Sequence, residues 1–151
     1  MRNGKNMNDK YPNPWDFSNN DKNLKSPNGF YKVEYGELNE IAMGAPIGGE
    51  CYLINNEKRI KLNDWCGGPI IWNNSSTKIA LPTWTKNRNQ KIVIVDIEMM
   101  TATTYKKEFS VLNLQSFEGN LIKGIDSPIH MPTVLNFDLE KEKIEKKVQL
   151  K

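Results

Sequence analysis

The alternation of apolar and polar residues predicts short β-strands along most of the chain. Residues 30–35 (FYKVEY) place aromatic and Val side chains between Lys and Glu, which is typical of a strand with one buried face. Residues 50–54 (ECYLI) and 58–62 (KRIKL) predict two strands joined by a turn at an Asn pair. The longest apolar run, residues 91–98 (KIVIVDIE), predicts a strand that is covered on both faces.

The remaining apolar runs predict further strands with polar turns between them. Pro82 lies inside one of them and predicts an edge strand or a bulge there, because proline has no N–H to donate. The last segment, residues 144–150, is charged, and the interval 138–150 is also rich in helix formers, so a helix is the alternative. The other predicted strands cover residues 69–72, 78–85, 102–106, 110–115, 120–126 and 133–140.

One feature of the pattern is a recurrence of a unit of four predicted strands. The same order of elements occurs twice. It consists of a short strand, a polar turn, a strand, a loop, a strand of the form IVIVDIE or VLNFDLE, and a return strand. A looser third copy covers residues 26–62, and the units lie near 26–62, 69–106 and 110–150. Corresponding positions are 42 residues apart, namely Trp72 and Leu114, Ile79 and Leu121, and Asp96 and Asp138.

A period near 40 with four short strands per unit resembles the blades of β-propeller proteins of the WD40 and TolB types. The resemblance implies an all-β fold, an antiparallel meander of about three propeller-blade-like units. Closed propellers have about four to eight blades, so we expect an open arc or a sandwich. Asp96 and Asp138 follow the recurring apolar run, and we expect them to accept hydrogen bonds from turn amides rather than to catalyse a reaction.

The recurrence favours a strand over a helix for the last segment, and it also sets the domain organisation. Residues 1–25 are polar and are expected to form a mobile N-terminal tail, while residues 26–151 form a single β-domain. Tyr11, Trp15 and Phe17 offer the alternative, in which aromatic side chains anchor the tail on the domain.

Composition and charge exclude several classes of function. The chain has 21 basic and 18 acidic residues, a net charge of +3, which does not predict a nucleic-acid binder. Its N-terminus has no apolar signal segment and no window predicts a membrane span, so we expect a cytoplasmic protein. Cys51 and Cys66 are expected to be buried thiols, with a disulfide as the alternative in an oxidising compartment. No Cys/His cluster predicts a metal site, and no cofactor is expected.

Catalytic motifs are absent from the sequence, so we do not expect an enzyme. His130 is the only histidine, which excludes a catalytic or metal site that needs two histidines. It lies in a proline-flanked loop. Glu34, Glu37 and Glu40 are the acids that a hydrolase would use, but closely spaced surface acids are usually solvated.

Aromatic and cationic residues in predicted loops are the better candidates for binding. Trp and Arg are enriched at the energetic centres of protein interfaces. The candidate binding residues are Trp65, Trp84, Lys86, Arg88 and His130. For both tryptophans the alternative is packing in the core.

These features together predict a non-catalytic protein-binding domain of undetermined oligomeric state. In size and general character it is similar to bacterial toxin immunity proteins, a resemblance that implies a toxin domain as the partner and occlusion of that toxin as the mechanism. The alternatives are a carbohydrate- or small-ligand-binding domain with Trp65 and Trp84 as a stacking platform, a hydrolase using Glu and Asp, and an oligomeric scaffold that pairs its exposed strand edges.

Overall fold

The hydrophobic pattern becomes a series of β-strands in the computed structural model, which describes residues 12–150. These residues also contain one short 3₁₀ helix, Lys22–Leu24. The strands are β1 (Lys32–Tyr35), β2 (Asn39–Glu40), β3 (Ile47–Asn55), β4 (Lys58–Cys66), β5 (Ile71–Trp72), β6 (Lys78–Trp84), β7 (Gln90–Asp96), β8 (Thr101–Tyr105), β9 (Leu112–Glu118), β10 (Leu121–Asp126), β11 (Thr133–Asp138) and β12 (Ile144–Gln149). In the part of the chain described, no helix has the length and hydropathy to cross a bilayer.

The strands form two antiparallel sheets, and neither closes into a barrel. The large sheet has nine strands in the order β1-β3-β4-β6-β7-β8-β12, with β2 beside β3 and β5 beside β6. The small sheet has the order β11-β10-β9. The prediction of an open, all-β antiparallel meander is therefore confirmed.

Strands β6 and β7 are central because they contribute to two hydrophobic cores. Leu81 and Val95 face one core, which they share with residues of β1, β3 and the N-terminal segment. Ile92 and Ile94 face the other, which lies between the large sheet and the small one and includes Phe137. The prediction that the KIVIVDIE strand is covered on both faces is confirmed, since alternate side chains enter different cores.

The segment before β1 is part of the packed structure from Pro12 onward. Phe17 and Leu24 are buried in the first core. The ring of Phe17 lies 4.8 Å from that of Tyr35, and the Trp72 indole N–H donates to the carbonyl of Leu24 over 2.9 Å. Phe17 thus has the anchoring position considered from the sequence, while Tyr11 and the residues before it lie outside the described part.

The recurrence appears in the order of strands but not in their pairing. Residues 69–106 and 110–150 each contain four strands, and residues 144–149 are a strand, which confirms the choice of strand over helix. The prediction of a hairpin between β11 and β12, which the recurrence gave, is wrong, because β12 pairs with β8 at the end of the large sheet. Pairing with that free edge overrides the helix propensity of the segment.

Two local predictions have different outcomes. The turn role of the recurring acids is confirmed: the Asp96 Oδ1 accepts from the Met99 N–H at 3.0 Å, and the Asp138 Oδ1 accepts from the Glu140 N–H at 2.9 Å. The prediction that Pro82 marks an edge or a bulge is wrong, since β6 lies inside the sheet in regular pairing with β7. Pro82 is tolerated because its nitrogen points away from β7, to the side of β6 where the neighbouring strand changes. There β5 lies beside Ile79 and Ala80, and β4 lies beside Thr83.

Candidate functional site

Trp65 lies near the end of β4, where its half-exposed side chain borders an open groove of about 400 Å³. The groove lies beside β2 and the start of β3. Its lining includes the backbone of Gly48 and Gly49 and four acidic residues, Glu37, Glu40, Glu50 and Asp64. The groove therefore combines an aromatic ring with several carboxylates.

Local backbone features shape this groove. A Cβ on Gly49 would lie 2.3 Å from the carbonyl oxygen of Glu37, so glycine allows the segment that carries Glu37 to pass close to β3. The pairing of β3 with β4 also shifts register between Gly49 and Cys51. Such bulges bend a strand and re-aim its side chains. The Trp65 N–H donates at 2.8 Å to the Oδ1 of Asn63, which lies two residues earlier on the same strand, β4.

Trp84 supports Trp65 from inside the molecule. Its side chain is 7% exposed, and its ring centroid lies 6.4 Å from that of Trp65. The indole N–H donates to the carbonyl of Ile47 at 3.3 Å. A Cβ on Gly48 would lie 2.8 Å from Trp84 Cδ1, so this glycine makes room for the ring. The two tryptophans are adjacent, but Trp84 offers little surface to a ligand and does not form a two-ring platform.

Hydrogen bonds and charges organise the face of β3 and β4 next to the groove. Lys61 Nζ lies 2.8 Å from Glu50 Oε2 and 2.9 Å from Asp64 Oδ1. The Tyr52 hydroxyl donates to Glu50 Oε1 at 2.6 Å. The hydrogen bond from Lys61, followed by that from Tyr52, lowers the pKa of Glu50, and the bond to Glu50 raises the pKa of Lys61. Both hydrogen bonds therefore stabilise the ionised form of Glu50.

The other two groove carboxylates have no such partner. Glu37 and Glu40 are exposed and form no salt bridge with any described residue. Among the described residues, Lys61 is the only cation in a salt bridge with a groove carboxylate, and it pairs with two of the four, Glu50 and Asp64. The groove is therefore locally acidic although the whole chain carries a net charge of +3.

Lys86 and Arg88 lie on a different surface, the tip of the hairpin between β6 and β7. Both side chains are exposed. The Thr85 N–H donates to the Asn89 carbonyl at 2.9 Å and closes the tip, with Arg88 at a positive φ of 64°. Neither residue lines the groove of Trp65, so the tip is a separate basic surface.

His130 lies on the loop between β10 and β11 of the small sheet. It is exposed, between Ile129 and Met131, which are 63% and 78% exposed. It does not line the groove either. The structure thus brings together Trp65 and Trp84 and leaves the other three predicted residues on two other surfaces.

The acids that sequence reasoning considered for catalysis do not form one site. Glu34 pairs with Arg59, whose guanidinium also lies 3.6 Å from the ring centroid of Tyr52. Glu37 and Glu40 line the groove instead. Within residues 12–150, no cluster of three or more His, Cys, Asp or Glu residues could hold a metal ion. Cys51 and Cys66 are both buried free thiols.

Sequence reasoning missed Asp64 and the glycine pair of β3 as parts of the site. Asp64 directly precedes Trp65, and this adjacency of acid and aromatic was the available signal. The approach of residues 37–40 to β3 depends on the missing Cβ of Gly49, and no sequence pattern specified which segment would pass there.

A second cavity of about 590 Å³ lies where the N-terminal segment and β5 meet β9. Ile70, Ile71 and Leu114 form its apolar walls, and four amide side chains line it. One of these, Asn23, donates from Nδ2 to the Ile70 carbonyl at 2.7 Å, while its buried Oδ1 accepts no hydrogen bond from any residue of the described part.

Comparisons of the chain with protein-family models, with curated proteins and with solved structures find no match.

Proposed function

We propose that this chain is a non-catalytic protein-binding domain whose contact surface is centred on Trp65. The observation that carries the proposal is the half-exposed Trp65 ring at the border of a groove with four carboxylates. An aromatic face and carboxylates together attract the ammonium or guanidinium group of a partner's Lys or Arg. Tryptophan also contributes more than most side chains to binding energy at interfaces.

The specific form that we propose is an immunity protein that binds and neutralises a bacterial toxin in the cytoplasm. The size of the chain and its lack of a catalytic motif support this form. The local charge of the groove refines it: nucleases hold phosphate groups on basic surfaces, and an acidic groove suits such a surface. The net charge of +3 describes the whole chain and does not oppose this pairing at the groove.

Lys86, Arg88 and His130 would act as secondary contacts in this proposal. The tip of the β6–β7 hairpin carries two cations and suits acidic residues of a partner. A large partner reaches both surfaces only if it spans the distance between groove and tip. Separate mutations in the groove and at the hairpin tip therefore measure what each surface contributes to the binding free energy.

Binding of a small ligand is the second candidate function. The observation that favours it is the cavity beside β5, where apolar walls meet amide side chains and the buried Asn23 Oδ1, which has no hydrogen-bond partner within residues 12–150. Such a mixture of apolar and polar groups is typical of small-molecule sites. A hydrolase is less well supported, because Glu50 is already engaged by Lys61 and Tyr52.

Affinity capture from cells that carry the gene tests the proposal. We expect the wild-type chain to retain one stoichiometric protein and to relieve its toxicity on co-expression. Trp65→Ala should lose the retained protein, because the main aromatic contact is removed. Trp15→Ala is the matched control, since Trp15 is also half-exposed but does not line the groove.

Circular dichroism of both variants checks that the fold is retained. Equal capture by Trp65→Ala and the wild type would remove the groove from the binding surface. Retention of a carbohydrate or a small molecule instead of a protein would favour the second candidate.

A further inference from the structure

The small sheet ends in β11, a strand edge that the described residues leave uncovered. β11 pairs with β10 on one side only. From Thr133 to Phe137, no hydrogen bond with a described residue involves a backbone group other than those of the β10 ladder. Exposed edges are templates for pairing with another strand, and proteins usually protect them.

Two of the other edges are protected by polar side chains. On β1, the Asn19 side chain donates to the Tyr35 carbonyl at 2.9 Å and accepts from the Tyr35 N–H at 2.7 Å. On β9, the Leu112 N–H donates to the Oε1 of the buried Gln90 at 2.6 Å. Both edges therefore have part of their backbone hydrogen bonding satisfied within the chain.

The remaining edges are protected by charge or by length. β12 carries Glu145, Lys146 and Lys147 within six residues, and charged residues disfavour pairing with another strand. β2 and β5 have two residues each. Among the edges of the described sheets, β11 alone combines useful length, an uncharged middle and an uncovered backbone.

Exposed apolar side chains continue the surface of β11. Val134 on the strand is 76% exposed, and Ile129 and Met131 on the preceding loop are 63% and 78% exposed. These three large apolar residues lie within six positions of the chain, and we call them the apolar patch. Exposed apolar side chains that are concentrated in this way mark interaction sites more often than single ones do. The patch and the edge together indicate an interaction surface.

We propose that β11 is a dimerisation edge, at which two copies of this chain pair their β11 strands antiparallel about a two-fold axis. Residues 133–137 carry no charge, so self-pairing brings no like charges together in the middle of the strand. Because these residues carry no charge, they offer no ion pair to an acidic or a basic partner. A second copy is the occupant that fits best.

The side-chain pattern of β11 is compatible with its own reversed copy. In a pairing centred on Leu135, each Leu135 faces the other and each Val134 faces Asn136 of the second copy. Residues that face each other lie on the same side of a sheet, so the faces carrying buried Leu135 and Phe137 adjoin. The result is a six-stranded sheet, and the interface is isologous, as two-fold symmetry requires.

The small size of the contact between the two β11 strands predicts a weak dimer. A strand of six residues is about 20 Å long, so edge pairing with the apolar patch makes a smaller interface than most stable dimers have. The dimer therefore dissociates on dilution, and its population depends on protein concentration.

Light scattering coupled to size-exclusion chromatography tests the dimer over a concentration series. The wild type is expected to rise from 17.4 kDa towards twice that mass. The variant Val134→Lys/Asn136→Lys places lysine opposite lysine in the self-paired strand and is expected to stay at the mass of one chain. Both positions are exposed, so the fold of the single chain tolerates the change.

The matched control adds the same two charges to another edge strand of six residues, as Ile144→Lys/Val148→Lys on β12. This control is expected to dimerise like the wild type. Wild-type hydrogen exchange gives a second measurement that needs no variant: protection of amides 133–137 is expected to rise with concentration. A wild type that stays at one chain's mass, or a β11 variant that dimerises like the wild type, overturns the proposal.

Discussion

At the residue scale, glycine decides where the aromatic side chains of the site can lie. Trp84 can support Trp65 only because Gly48 leaves space for its ring. Phe17 packs in the same way over Gly68, where a Cβ would lie 2.8 Å from ring carbons. These glycines were visible in the sequence as pairs, but only their neighbours in space reveal what they make room for.

Gly48→Ala is expected to lower the free energy of unfolding by about 1–3 kcal/mol, as overpacking of a well-packed interior does. The reason is that the added Cβ would lie 2.8 Å from Trp84 Cδ1. Chemical denaturation measures the change. Gly36→Ala is the control, because its Cβ would meet its nearest neighbour at an ordinary 3.5 Å. A Gly48→Ala variant as stable as the wild type would contradict the packing of Trp84.

Buried acidic groups make the fold sensitive to alkaline pH. Burial raises the pKa of Tyr35 above its ordinary 10.0 and that of Cys66 above its ordinary 9.0. The unfolded chain loses these protons near the ordinary values while the folded chain keeps them. The folded state then binds more protons, so the free energy of unfolding falls above about pH 9, by up to about 1.4 kcal/mol per pH unit for each group.

Urea unfolding at a series of pH values measures this decline. Tyr35→Phe is expected to make the fall in unfolding free energy less steep above about pH 10. The fall that begins near pH 9 is expected to remain. The variant also loses the hydrogen bond from the Ile70 N–H, so its stability is lower at every pH. A wild-type stability that is constant through the alkaline range would show that neither group is buried.

At the element scale, strand existence was predictable and strand partnership was not. The run around Val93 and the alternation around Val33 correctly predicted β7 and β1, because burial of one or two faces leaves a period in the sequence. The acids Asp96 and Asp138 were correctly placed in turns, since their bonds are local. The pairing of β12 with β8 was missed because that contact joins residues far apart in the chain.

The difference between β7 and β12 gives a prediction for hydrogen exchange. Five of the seven residues of β7 are buried and those of β12 are all exposed. Local opening is easiest where few apolar contacts are lost. Native-state exchange is therefore expected to show the greatest protection in β7 and the least, among the longer strands, in β12. Equal protection of the two strands would mean that β12 opens only when the whole domain unfolds.

At the scale of the whole molecule, the fold separates surfaces of different charge and polarity. The groove of Trp65 is acidic, the tip with Lys86 and Arg88 is basic, and the patch of Ile129, Met131 and Val134 is apolar. Tryptophans and cations could be selected from the sequence as candidate contacts. Their division among separate surfaces could not, because it depends on which hairpins share a sheet and how β3 bends.

Charge reversal of the groove, compared with reversal of the hairpin tip, tests whether the Trp65 groove is the binding surface. Calorimetry of the captured partner with Glu37→Lys/Glu40→Lys is expected to show a Kd about tenfold or more above that of the wild type, a loss of at least about 1.4 kcal/mol. Glu98→Lys/Glu118→Lys, which reverses two exposed acids outside the groove, is the matched control and is expected to bind like the wild type. Lys86→Glu/Arg88→Glu is expected to have the smaller effect. Wild-type affinity in the groove variant, with binding lost in the hairpin variant, would contradict the assignment of the Trp65 groove.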